Sequence, residues 1–169
     1  MATRTKGGLL LPVILVAVVA VFGLDTIVST VQGLFTGGGT AVIGEGDSRV
    51  MVASEDQSKA ETCTTAQLVI DKRCGDLKVV VMDAAKMPFI TRNMLLAWTE
   101  GKPGILTRNK AAEKANRAAA CPPGRYPQSF PDKGSCEEFP FAPTSEGGKN
   151  ARTAHVPLRE NACQGGTLR

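Results

Sequence analysis

The sequence has a single histidine, His155, in 169 residues, and its five cysteines form no C-x-x-C pair. Zinc sites take cysteine and histidine ligands at short spacings, so this scarcity argues against a zinc centre. A lone histidine beside Val-Pro in a short strand is more often structural than catalytic, which makes His155 a weak candidate for a general base. No internal repeat is visible, so the sequence does not indicate a repeat architecture.

Charged residues are also missing from Gly8 through Leu24 (GLLLPVILVAVVAVFGL), a run that follows Arg4 and Lys6. A basic start followed by an apolar core is typical of a secretory signal. The run is long for a signal core, short for a membrane span of about 20 residues, and lacks a clear cleavage site. The absence of a polar face disfavours a buried helix of a soluble domain.

The sequence therefore predicts an N-terminal hydrophobic helix, with residues 1–36 acting as a signal peptide or as a membrane anchor. Either role exports the rest of the chain. The protein is expected to be secreted or extracytoplasmic, and attached to the membrane through residues 8–24 if that segment is not cleaved.

The five cysteines agree with export, because an oxidising compartment allows them to pair. Cys63 and Cys74 flank a short segment, and Cys121 and Cys136 bracket a proline-rich loop, so these are the two predicted pairs. Cys163 is left over. It is free, pairs between chains, or lacks a partner that a longer C-terminus would supply.

Two features divide the chain into segments, the glycine run at residues 37–39 and the β-branched run that begins at Leu77. Residues 37–76 are predicted to be a linker or pro-region with two short β-like runs, at Ala41–Ile43 and Arg49–Val52. Residues 77–169 are predicted to form the main domain. Its expected elements are a buried strand, an amphipathic helix and a second helix rich in alanine, at Leu77–Met82, Phe89–Thr99 and Lys110–Ala120.

The main domain is basic. Residues 77–169 contain 14 Lys or Arg and 8 Asp or Glu, which gives a net charge of +6. Such a surface suits a polyanionic partner such as DNA, although an ordinary solvated basic surface has the same composition.

Chemically capable side chains gather around turns in Ser135–Gly166, near the C-terminus. The stretch contains the runs Cys136–Thr144 (CEEFPFAPT), Gly147-Gly148 and Glu160–Gly166 (ENACQGG). Loops carry function more often than cores do, so this stretch is the candidate site. Two consecutive glutamates on a surface turn are, taken alone, usually only solvated.

In their order, these three runs resemble the motifs of the NucA/NucB family of small extracellular deoxyribonucleases. Upstream, Val79–Pro88 (VVVMDAAKMP) and Asn116–Cys121 (NRAAAC) resemble the family's first strand and the helix before the motif. The sequence departs from the pattern in two ways. Glutamate stands at Glu137 where the family has aspartate, and the chain ends at Arg169, before the family's closing helix and strands.

The resemblance implies an α+β fold with a small ββα-metal-like nuclease domain, in which two short strands lead into a helix that begins near Gln164. It also implies an exported, metal-dependent endodeoxyribonuclease without sequence preference, using Mg²⁺ or Mn²⁺. The alternative is a catalytically inactive, membrane-anchored module of the same fold that binds nucleic acid or a protein partner. An inhibitor protein is a possible partner, and the oligomeric state is left open.

The resemblance also implies roles for individual residues. Glu137 takes the position of the general base, Glu138 orients the site or helps to hold the metal, and Asn161 fixes the loop geometry. The predicted metal ligands are Glu138 and Glu160. The predicted substrate-binding residues are Arg125, Lys133, Arg159 and Gln164.

Overall fold

The computed structural model describes residues 13–19, 39–45, 48–126 and 134–168. Its strands are β1 (Val13–Val19), β2 (Thr40–Ile43), β3 (Val50–Ala53), β4 (Arg73–Cys74), β5 (Leu77–Asp83), β6 (Ile105–Thr107), β7 (Gly134–Phe139) and β8 (Arg152–Pro157). Its helices are α1 (Gln57–Ala60), α2 (Pro88–Thr99), α3 (Glu113–Ala120) and α4 (Leu158–Thr167). Within these residues, the first six strands form one mixed sheet and β7 and β8 form a separate hairpin.

Strand β1 is the centre of the large sheet. It runs parallel to β5 along its whole length, and on its other side it pairs antiparallel with β6 and then with β3. Its side chains alternate between the two faces of the sheet, and Leu15, Val16 and Ala17 are completely buried. A strand covered on both faces needs a continuous apolar sequence, and residues 13–19 (VILVAVV) supply one.

The predicted N-terminal hydrophobic helix is therefore wrong for residues 13–19, which form β1. The apolar run indicated burial on all sides, and both a membrane span and a central strand meet that condition. The remainder of residues 8–24, the residues from 25 to 36 and the glycines at 37 and 38 lie outside the described residues. In the part of the chain that the structure describes, no helix has the length and hydrophobicity needed to cross a membrane.

The segment predicted as a linker also contributes to the sheet. The two β-like runs form β2 and β3, which pair with each other and continue the sheet from β1. The predicted domain boundary at residue 77 thus falls inside one hydrogen-bonded sheet.

Two apolar clusters cover the two faces of this sheet. One contains Leu15, Ala17 and Val79 and lies beneath α1 and the segment closed by Cys63 and Cys74. The other lies between the sheet, α2 and the hairpin, and contains Ile14, Val16, Met82, Ile90, Met94, Leu95, Trp98, Phe139, Phe141 and Val156. Met94 and Trp98, on the amphipathic helix predicted at Phe89–Thr99, belong to this core and are 0% and 2% exposed.

The hairpin and α4 form the predicted ββα unit. Helix α4 begins at Leu158, six residues before the expected start near Gln164, so Glu160, Asn161 and Gln164 are all helical. The predicted strand and helices at residues 77–120 are confirmed as β5, α2 and α3, with a short 3₁₀ turn at Lys110–Ala112 leading into α3. Mixed α+β architecture is confirmed.

Both predicted disulfides are present. Cys63 and Cys74 close the segment before β5, and Cys121 and Cys136 join the end of α3 to β7. Cys163 is a free, exposed thiol on α4.

Candidate active site

A basic cleft of about 200 Å³ lies between α3 and α4. Arg108, Lys110 and Arg117 line one side, and Asn161 and Gln164 line the other. Lys110, Glu113 and Arg117 share one face because residues three and four positions apart are neighbours on a helix. Glu113 forms an ion pair with Lys110, and Arg108 donates a hydrogen bond from Nη1 to the carbonyl of Leu168 at 2.9 Å.

The carboxyl group of Glu137 is buried directly behind this cleft. Its side chain is 1% exposed, and its Oε1 accepts a 2.6 Å hydrogen bond from Nε2 of Gln164, a residue of the cleft wall. Burial raises the pKa of Glu137 to about 8, with the Gln164 hydrogen bond and the positive charge of Arg117 acting in the opposite direction. Near pH 7 this carboxyl group is thus mainly protonated.

Glu137 and Glu138 point to opposite faces of the hairpin, because consecutive residues of a strand alternate in direction. Glu138 faces α3, where its Oε2 lies 3.0 Å from Nη1 of Arg117 and 3.2 Å from the Sγ of Cys121. That sulfur belongs to a disulfide and has no proton to donate. Burial raises the pKa of Glu138 to about 7, and Arg117 limits the rise. The two adjacent carboxylates therefore have different hydrogen-bond partners, Gln164 for Glu137 and Arg117 for Glu138.

The edge of β7 joins the two walls of the cleft. The carbonyl of Cys136 accepts hydrogen bonds from Arg117 Nη1 at 3.1 Å and from Asn161 Nδ2 at 3.2 Å. Asn161 also donates to Oγ of Ser135 at 2.6 Å. Asn161 thus holds α4 against the strand that carries Glu137, and its role in the site stays a prediction.

The Phe-Pro-Phe-Ala turn after β7 is fixed from α3. Asn116 donates from Nδ2 to the carbonyls of Ala142 and Thr144 at 2.9 and 2.7 Å. Phe139 and Phe141 are both buried in the core below the hairpin. The motif region is therefore a rigid part of the fold.

The protein-family model described as Deoxyribonuclease NucA/NucB matches residues 94–169. Residues 94–169, called the NucA/NucB region below, are therefore similar to that family. The matched region contains α3, the hairpin and α4, and hence every residue that lines the cleft. The description of that family names deoxyribonucleases, enzymes that act on DNA. A search of the curated proteins found no match to this chain.

Within the NucA/NucB region, Glu160 lies apart from the cleft. Its buried Oε2 accepts hydrogen bonds from the backbone N–H groups of Phe89 and Ile90 at 2.9 and 3.2 Å, so it caps the first turn of α2. Glu160 therefore has a structural role as the cap of α2. Glu138, the other predicted metal ligand, forms an ion pair with Arg117.

The described residues do not bring three acidic or histidine side chains together as ligands for a divalent cation. Among them, one group brings three candidate ligand atoms within 4.8 Å of each other, and it consists of Cys121, Cys136 and Glu138. Both sulfurs are in a disulfide and cannot act as thiolates. Mg²⁺ and Mn²⁺ prefer several oxygen ligands, which this group does not supply. The metal roles of Glu138 and Glu160 remain predictions.

The other predicted substrate-binding residues are spread around the region. Gln164 lines the cleft, whereas Arg125 and Arg159 are exposed outside its lining, and Lys133 lies outside the described residues. His155 stacks on the ring of Tyr126 with centroids 5.4 Å apart, against the backbone of Gly134. Tyr126 thus packs onto the hairpin.

The sequence prediction missed Arg108, Lys110 and Arg117. A signal was present, since Lys110 and Arg117 are seven residues apart on a predicted helix. The alanine content of this segment predicts a helix but assigns no function to its basic face. That face becomes one wall of a cleft only because α4 packs opposite it.

The Cys121–Cys136 disulfide is expected to matter for cleavage more than the Cys63–Cys74 disulfide does. Each closes a loop of similar length, 15 and 11 residues in sequence separation, so loss of either is expected to lower the free energy of unfolding by about 3 kcal/mol. Only the former joins the helix of Arg117 to the strand of Glu137. Paired Cys→Ser variants, compared in a DNA-nicking assay at a temperature where both are folded, test this. Equal activities would contradict it.

Proposed function

We propose that this protein is an exported, metal-dependent endodeoxyribonuclease that cuts DNA without sequence preference, with the scissile phosphate bound in the basic cleft. The observation that carries the proposal is the position of the cleft, which lies inside the NucA/NucB region and touches Glu137 through Gln164. The two disulfides support secretion, because such bonds persist in oxidising compartments.

Three cations supply the electrostatic part of this function. Arg108, Lys110 and Arg117 face a cleft whose size suits one or two phosphate groups. Phosphoryl transfer needs stabilisation of the negative charge that develops on the phosphoryl oxygens, and guanidinium groups suit phosphate geometry. Contacts to phosphate carry no sequence information, which agrees with cutting at any sequence.

Glu137 is the proposed general base. In its ionised form the carboxylate takes a proton from a water molecule, the water oxygen bonds to phosphorus, and the bond from phosphorus to the leaving oxygen breaks. The leaving oxygen keeps the electron pair of that bond and takes a proton from solvent water. Because Glu137 is 1% exposed, water reaches it only when the side chain of Gln164 turns away from Oε1. Gln164 is therefore proposed to control access to the base.

Metal dependence is part of the proposal because of the family resemblance. A bound Mg²⁺ or Mn²⁺ supplies charge neutralisation to phosphoryl transfer. No step is assigned through the ion, since the described carboxylates do not form a ligand set for it.

The direct test is a plasmid-nicking assay on the oxidised full chain, with Mg²⁺ or Mn²⁺ and with EDTA. Conversion of supercoiled plasmid to open circles, abolished by EDTA, is the expected result. The full chain is required because β1 lies at the centre of the sheet. Absence of nicking by a folded, oxidised protein with either metal would overturn the proposal.

The rate is expected to rise with pH until about pH 8, because the base must be ionised and burial raises the pKa of Glu137 to about 8. Arg117→Gln is expected to lower kcat/KM by about a hundredfold and to move the rising limb to higher pH, since the positive charge of Arg117 lowers the pKa of Glu137. The measurement is the pH profile of cleavage of a fluorescent duplex. Lys114→Gln, on the same helix but outside the cleft lining, is the matched control. A profile unchanged by Arg117→Gln would remove Arg117 from the site.

One observation favours the alternative function. Glu137 is 1% exposed and its Oε1 is occupied by the hydrogen bond from Gln164, an arrangement that suits a module that binds DNA without cutting it. Salt-sensitive DNA binding by the full chain, with no cleavage up to pH 9 or so, would support this alternative.

A further inference from the structure

A second basic groove adjoins the cleft and uses residues upstream of the NucA/NucB region. It has a volume of about 290 Å³ and lies where the end of α4 meets the β4–β5 edge of the large sheet. Its cations are Lys72, Arg73, Lys78 and Arg108. Arg108 and Leu168 line both the groove and the cleft, so the two lie next to each other.

Arg73 and Lys78 lie directly opposite each other in the antiparallel β4–β5 pair. Like charges at such positions destabilise a sheet. Asp71 and Asp76 are close in sequence, but neither belongs to the groove lining. An exposed pair of opposed cations does not stabilise the fold. An anion bound between or above the two side chains would remove their repulsion and make the pair favourable.

Lys72 adds a second local disadvantage in the same place. Its φ is 52°, in the left-handed region where glycine is the usual residue, at the end of the turn Gln67–Asp71. The carbonyl of Lys72 accepts a 2.8 Å hydrogen bond from Val79, which holds this conformation. The opposed pair Arg73 and Lys78 and the positive φ of Lys72 are both unfavourable locally, and both place a cation at the groove. Such features are expected at functional sites, which indicates that these cations serve to bind a ligand.

We infer that this groove binds the phosphate backbone of DNA beyond the scissile phosphate. The inference rests on the proposed function for the identity of the ligand. DNA held in the cleft continues past Arg108, and the groove then offers Lys72, Arg73 and Lys78 to its next phosphates. The upstream half of the chain thereby extends the substrate-binding surface of the nuclease region.

Anisotropy of fluorescent duplexes tests this, with the full chain carrying Glu137→Gln in EDTA so that DNA is not cut. Two lengths are compared, about 8 and about 24 base pairs, because only the longer one spans both cleft and groove. For the longer duplex, Arg73→Gln/Lys78→Gln is expected to weaken binding about tenfold and to reduce the salt slope of log K by about 2. The shorter duplex is expected to change less than about twofold.

Two further variants separate binding from folding. Lys72→Gly is expected to weaken binding of the longer duplex while leaving the protein at least as stable to urea, since glycine suits the left-handed backbone. Lys59→Gln/Lys149→Gln removes the same charge from exposed sites outside both linings and is expected to leave affinity unchanged. An equal loss with this control would overturn the inference.

The outcomes distinguish the inference from the proposed function. If the unsubstituted chain cuts DNA but the groove variants bind the longer duplex normally, the inference fails and the function stands. If that chain binds without cutting and the groove variants weaken binding, the groove stands and hydrolysis fails. If it neither binds nor cuts, both fail.

Discussion

Glu137→Gln is expected to abolish DNA cleavage and at the same time to stabilise the folded protein above about pH 7. Glutamine has the shape of a protonated glutamate and can still accept the hydrogen bond from Gln164, but it cannot take a proton from water. Loss of a general base lowers rates by about 10²–10⁴-fold. Plasmid nicking and urea unfolding, both followed between pH 5 and pH 9 or so, are the measurements.

The stability effect follows from the raised pKa of Glu137. Its ordinary value is 4.5 and its folded value about 8, so between these the folded state binds the proton more tightly than the unfolded state does. The free energy of unfolding therefore falls as pH rises through this range, by up to about 1.4 kcal/mol per pH unit from this group. Glu138, with a folded pKa of about 7, acts in the same direction.

Glu137→Gln should remove the part of this slope that belongs to Glu137 and leave the part that belongs to Glu138. Glu61→Gln is the control, because Glu61 is exposed to solvent just after α1. It should leave the pH dependence of the free energy of unfolding unchanged. If Glu137→Gln made the protein less stable at pH 8 than the unsubstituted chain, the carboxyl group would not be buried as the structure has it.

Val16→Asp is expected to prevent folding altogether. Val16 is completely buried in the middle of β1, and a carboxylate there has no partner and no access to water. Burial of an unpaired charge or loss of the central strand is expected to cost more than about 4 kcal/mol, a large share of the stability of an ordinary domain. Circular dichroism and the nicking assay report the loss.

Val13→Asp is the matched control, because Val13 is in the same strand but 36% exposed, and it should retain the fold. The comparison also decides between the two uses of the hydrophobic run. An exported protein that has lost residues 1–24, as shown by its mass, and that still folds and cuts DNA would mean that the run acts as a cleaved signal and not as β1.

Local sequence patterns were enough to predict those helices and strands whose spacing of apolar residues is visible within the element itself. The i, i+4 spacing of Ile90 and Met94 predicted α2, and the β-branched run at Leu77–Met82 predicted β5. Cysteines on either side of short segments predicted both disulfides. The motif runs of residues 136–166 predicted the nuclease family, because their residue types and order are specific even without coordinates.

The tertiary structure decided what depends on partners distant in the sequence. The apolar run at residues 13–19 is compatible with lipid and with a sheet, and only pairing with β5, more than sixty residues away, makes it a strand. Adjacent glutamates become separate sites because strand geometry sends Glu137 and Glu138 to opposite faces. Arg108, Lys110 and Arg117 become a cleft because α4 packs opposite them. The sequence by itself determined the resemblance to the NucA/NucB family and the local elements, and long-range packing determined which charges share a site.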